Sequence, residues 1–117
     1  MTVGDDVFEG GYTWASRWED EGLTNPEELL GAAHAGCYSM ALSNTLAKNG
    51  FTPQRVHTLA HVHLEGSDIT RIELETYADV PDIEREEFME YAADAKENCP
   101  VSKALAGVEI GLDATLR

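Results

Sequence analysis

Residues 24–50 read TNPEELLGAAHAGCYSMALSNTLAKNG, and this stretch decides the fold. It has the marks of one long helix from Asn25 to Asn49. Asn25 stands where a side-chain oxygen can accept an orphan backbone N–H, and Pro26 fits the first helical position, where a missing N–H costs nothing. Glu28, three residues on, can reach back as in a capping box, and Glu27 and Glu28 together suit the positive end of the helix dipole. Gly50 closes the run as a residue free to take a positive φ. The middle, Gly31-Ala32-Ala33-His34-Ala35-Gly36-Cys37, is small on every side. Neighbours can therefore approach closely all round, which predicts a central, buried helix carrying a cysteine halfway along.

On the C-terminal side, Phe51-Thr52-Pro53 is a turn and Gln54 to Glu65 alternates as a strand. Val56, Thr58, Ala60, Val62 and Leu64 lie on one face, with His57, Leu59, His61 and His63 on the other. Gly66-Ser67-Asp68 signals a hairpin, and Ile69 to Val80 alternates again. Pro81-Asp82 opens a second helix running to about Asn98, with Asp82 as its cap and Phe88, Ala92 and Ala95 as its inner stripe. Pro100 forces a fresh start, so Asn98 or Cys99 caps a short helix through Leu105. Gly107 breaks it, and Val108, Ile110, Leu112, Ala114 and Leu116 alternate as a last strand. On the N-terminal side, Val7-Phe8-Glu9 and Tyr12 to Trp18 read as two short strands joined at Gly10-Gly11, with Arg17 on the small-residue face. Glu19-Asp20-Glu21-Gly22 then loops to the long helix. The order gives a single α+β domain over residues 1–117. One such sheet covers a helix with several small faces incompletely, and a homodimer would bury the remainder.

Eight basic and 22 acidic residues give a net charge of -14. Such a surface repels nucleic acid and anionic membrane, so neither is an expected partner. There is no run of 18 apolar residues and no secretory signal at the start. With only Cys37 and Cys99 and no such signal, a reduced, cytoplasmic setting and a working thiol pair are expected.

Each cysteine has a packing explanation, since free cysteines commonly behave as small buried hydrophobes. Cys37 is mid-helix and gains nothing from a helix terminus. Activation must come from a cation, and Arg17 is the one basic residue just ahead of the long helix. A guanidinium beside the thiol would favour the thiolate and orient an oxygen substrate. Cys99, before Pro100 at a helix start, sits where a thiolate is favoured. Together the two fit a sequence of thiolate, sulfenic acid and disulfide. Glu27 precedes Cys37 by ten residues, or roughly 15 Å of helix, so it can act only on the thiol of a second subunit packed alongside. His57, His61 and His63 share a strand face but lack a fourth ligand at a recognised spacing. His34, one turn before Cys37, either lines a pocket or is packed and hydrogen-bonded. No phosphate loop and no GxSxG motif is present.

The run Thr24 to Cys37 with Ser39-Met40-Ala41-Leu42, and Ala95-Lys96 followed by Asn98-Cys99-Pro100-Val101-Ser102, strongly resembles the OsmC branch of the OsmC/Ohr family over roughly residues 12–117. The resemblance implies an OsmC-like fold, with antiparallel sheets wrapped around two central helices in an intertwined homodimer. It also implies a thiol peroxidase that reduces organic hydroperoxides and, more weakly, hydrogen peroxide, at sites on the subunit interface. Cys37 matches the peroxidatic cysteine, Cys99 the resolving one, Glu27 the active-site glutamate, and Arg17 an arginine ahead of NPEEL. No cofactor or metal is implied. The expected reductant is an external dithiol, of the lipoyl type in the Ohr branch. Family members usually carry a further strand pair before Val7, with an arginine-bearing turn in the Ohr branch, and this pair is expected to be missing here. A non-catalytic structural or binding dimer of the same fold is the competing reading, and a histidine-rich metal carrier a weaker third.

Overall fold

The computed structural model describes residues 1–5, 7–18 and 22–117. Helix α1, Pro26–Lys48, begins as its sequence requires: the Asn25 side chain accepts from the Glu28 N–H at 2.8 Å, with Pro26 in the first turn. Its far end is a Schellman arrangement. Phe51 N–H bonds Leu46 O at 3.0 Å and Gly50 N–H bonds Ala47 O at 3.1 Å, with Gly50 at φ +88.

Three strands form the main sheet: β3 (Arg55–Glu65), β4 (Asp68–Asp79) and β5 (Glu109–Leu116), in the order β3-β4-β5. β3 and β4 form an antiparallel hairpin with an irregularity at His63/Leu64. β5 returns parallel to β4, from Arg71↔Glu109 to Ala78↔Leu116. The sheet is thus mixed where antiparallel pairing had been expected throughout. The cause is the connection: α2 (Arg85–Asn98) and α3 (Pro100–Ala104) carry the chain back over the sheet before β5 begins, and a crossover of that length delivers a parallel strand. The α+β class holds.

α1 buries Gly31, His34, Tyr38, Leu42 and Leu46, a stripe at helical spacing. It packs with Ile72, Leu74, Ala78 and Val80 from β4 and its C-terminal flank, and with Phe88 and Ala95 of α2. Each fully buried leucine contributes about 2 kcal/mol by area removed from water. Gly31 permits the close approach of helix to sheet, for a Cβ there would lie 3.1 Å from Val62 Cγ2. Tyr38 ties α1 to α2 through a 3.0 Å bond from its hydroxyl to Ala92 O. The opposite face of α1 is left uncovered by the sheet and helices of its own chain. Ala32, Ala33 and Gly36 are exposed, and Met40 is 75% exposed.

Two further expectations fail at particular residues. Tyr12 to Trp18 is not a strand. Thr13 and Ser16 exchange bonds, each backbone N–H meeting the other's hydroxyl at 3.0 Å, and this turns Ala15–Arg17 into a 3₁₀ helix. The short N-terminal pair is instead β1 (Thr2–Val3) with β2 (Phe8–Glu9). Asp82 does not cap the second helix, because it adopts φ 69, and α2 starts after Glu84. Of the expected Glu19-Asp20-Glu21-Gly22 loop, residues 19–21 lie outside the described residues.

Candidate active site: a cysteine pair and a separate arginine–glutamate pair

Cys37 rises from the middle of α1, and Cys99 occupies the junction between α2 and α3. The junction exists because Pro100 cannot continue α2. Cys99 is extended (φ -61, ψ 125), its N–H ends α2 on Ala95 O at 2.9 Å, and Pro100 opens α3. The two Sγ atoms are 2.9 Å apart, share a hydrogen bond and belong to free thiols. Cys37 is part-exposed and Cys99 is 0% exposed. A reagent from solvent therefore reaches Cys37 first, and Cys99 waits behind it.

The electrostatics of one chain run the other way. Burial pushes the Cys37 thiol up and its bond to Cys99 pushes it further, while the Val101 N–H opposes this in part. Burial also raises Cys99. Its hydrogen bond with Cys37, the Ser102 backbone and hydroxyl and the Val101 N–H outweigh that, and Cys99 ends below its ordinary value. In the lone chain, then, nothing beside Cys37 favours its thiolate strongly enough to offset its burial. For Cys37 to be the attacking thiolate, a cation must stand beside it.

Ser102 is in turn bonded to His34. The histidine is fully buried, its Nε2 is 2.7 Å from Ser102 Oγ, and its Nδ1 has no partner. Leaving that nitrogen unpaired costs about 1–3 kcal/mol. Ser102 was not singled out from the sequence. The signal was its position one helical turn after Cys99.

Arg17 is held by the N-terminal turn. Ser16 Oγ donates to Thr24 O at 2.8 Å, and Asn25 Nδ2 donates to Ser16 O at 3.1 Å, fastening the 3₁₀ helix to the start of α1. Arg17 Nε then meets Glu27 Oε2 at 3.0 Å, both side chains mostly buried, with the guanidinium 5.2 Å from the Trp14 ring centre. This pair shares a cleft with Glu28, Ala60, Val62 and Leu64. The ten residues from Glu27 to Cys37 put it about 15 Å along the helix from the thiols of the same chain. The structure thus joins Cys37 to Cys99 and Arg17 to Glu27, and keeps the two pairs apart within one chain.

The strand histidines face outward. His61 pairs with Glu75 at 3.2 Å and His63 with Glu73 at 3.6 Å, across the β3–β4 hairpin. Among the described residues no three or more His, Cys, Asp or Glu side chains gather to hold a metal ion. No helix in them is long and apolar enough to cross a membrane.

The site is thus a part-exposed helical cysteine lying 2.9 Å from a buried one, within an α+β domain. Residues 19–113 match the family model described as OsmC-like protein, and the chain belongs to that family. It is 46% identical over 110 residues to Peroxiredoxin OsmC of Escherichia coli (strain K12), covering 91% of this chain and 76% of that protein. It is 31% identical over 98 residues to Organic hydroperoxide resistance protein-like 1 of Staphylococcus saprophyticus, covering 80% and 70%. The fold is similar to that of an organic hydroperoxide resistance protein OsmC from Legionella pneumophila, with a TM-score of 0.76 at 22% identity over 97% of this chain and 86% of that one. It is likewise similar to an organic hydroperoxide resistance protein from Elizabethkingia anophelis, with a TM-score of 0.75 at 23% identity over 99% and 86%. Together these support a peroxide-related redox function.

Proposed function

We propose that the chain is a two-cysteine hydroperoxide reductase acting as a homodimer, with organic hydroperoxides as its substrates. The observation that carries this reading is the 2.9 Å approach of a solvent-reachable Cys37 to a buried Cys99. Cys37 thiolate attacks one peroxide oxygen, the O–O bond breaks, and the departing alkoxide takes a proton and leaves as alcohol. Cys99 sulfur then attacks Cys37 sulfenic acid, the S–O bond breaks, and hydroxide leaves as water. The Cys37–Cys99 disulfide is reset by exchange with an external dithiol. The missing cation is Arg17 of the partner subunit, oriented by its Glu27. The exposed small-residue face of α1 at Ala33 and Gly36 is what two helices need to pack closely enough for that transfer.

One observation favours the non-catalytic dimer: within a single chain, Cys37 is pushed up rather than down. The pH dependence of Cys37 alkylation separates the two readings. The reductase requires a midpoint well below the ordinary 8.5, because a guanidinium neighbour lowers an acid by about 1–3 units. A midpoint at or above 8.5 supports the non-catalytic dimer.

A further inference from the structure

The buried histidine plays no part in the chemistry above, yet it is fully enclosed, touches the hydroxyl that faces Cys99 and leaves its other nitrogen bare. We propose that His34 is a positioning residue for the resolving cysteine: its Nε2–H donates to Ser102 Oγ, which turns the Ser102 hydroxyl hydrogen onto Cys99 Sγ.

Three observations carry this. The His34 Nε2 to Ser102 Oγ distance of 2.7 Å spans 68 residues of chain and joins α1 to α3. A hydroxyl has one hydrogen, so if Ser102 accepts from His34 its own hydrogen is free for the sulfur. An Nε2–H tautomer leaves Nδ1 as a bare lone pair, in keeping with a nitrogen that has no acceptor near it. Burial lowers the His34 pKa, so the ring stays neutral around neutrality, as a single-donor role requires. The other titratable groups at Cys99 are Cys37 and Tyr38, and burial holds the Tyr38 phenol protonated. Ser102 thus supplies a hydrogen bond that favours the Cys99 thiolate, and His34 decides that it points that way.

The proposal rests on the reductase reading for its use in closure, but its electrostatic content is measurable without peroxide. In a Cys37→Ala background Cys99 is the one remaining thiol, and its thiolate absorbance at 240 nm is followed with pH. Ser102→Ala and His34→Leu are expected to raise the midpoint by about one unit, a roughly tenfold loss of thiolate below it. His34→Gln presents an amide N–H at the reach of Nε2 and is expected to hold the midpoint. In the two-cysteine protein, Ser102→Ala is expected to slow sulfenic acid to disulfide conversion about tenfold while leaving sulfenic acid formation within about twofold. An unchanged midpoint in Ser102→Ala, or a His34→Gln midpoint that moves as far as that of His34→Leu, overturns the proposal. If the parent forms no sulfenic acid, the reductase reading fails, and the thiolate titration still decides the role of His34.

Discussion

Cys37→Ser is expected to consume cumene hydroperoxide at least ~10³-fold more slowly than the parent, since removing the nucleophile removes the reaction and not one of its supports. Cys37 is the only one of the two thiols that solvent reaches. Cys99→Ser separates the steps. It is expected to give one rapid turnover and then stop at Cys37 sulfenic acid, with nothing behind it to close the disulfide. Single-turnover thiol loss read against time distinguishes the pair. A Cys37→Ser protein that clears peroxide at the parent rate would leave Cys37 a packing residue.

Mixing two inactive variants is expected to restore activity. Arg17→Ala removes the cation and Cys37→Ser the sulfur. If each site takes Cys37 from one subunit and Arg17 from the other, a mixed dimer holds one complete site. Random reassortment then returns about a quarter of the parent activity. The geometry behind this is simple: Arg17 is bonded to Glu27 at 3.0 Å, and Glu27 lies ten residues up the same helix from Cys37. A side chain cannot cross the intervening turns, so the arginine of one chain serves the thiol of another or serves none. Recovery is measured after co-refolding or prolonged exchange. A mixture as inactive as either parent variant would mean the charge comes from elsewhere.

The parts of the fold readable in the sequence were those in which local signals agree. Asn25-Pro26 and Gly50 bracket α1 to within a residue, and the alternation from Val56 to Leu64 and from Ile72 to Val80 marks inward faces that the structure buries fully or in part. Pro100 after Cys99 put a helix junction at a thiol. The failures share a physical cause, which is that a short pattern serves two conformations. Tyr12, Trp14, Ser16 and Trp18 alternate like a strand, but the Thr13–Ser16 hydroxyls can bond backbone at that spacing and curl the chain, leaving Trp14 73% exposed. Alternation in β5 says nothing of direction, which the α2–α3 crossover sets. Asp82 has the composition of a cap, but a positive φ takes it out of the capping geometry. At the site, the cysteines could be named from their settings. The His34–Ser102 bond could not, because it joins residues 68 apart and depends on the packing of α3 against α1.

The most direct measurement is the intact mass of the reduced protein after one equivalent of cumene hydroperoxide, followed by peptide mapping. The chemistry above predicts the loss of two hydrogens per chain and a single linked peptide pair joining Cys37 to Cys99. A chain of unchanged mass with both thiols still free, or one that gains oxygen at Cys37 and never closes on Cys99, would contradict it.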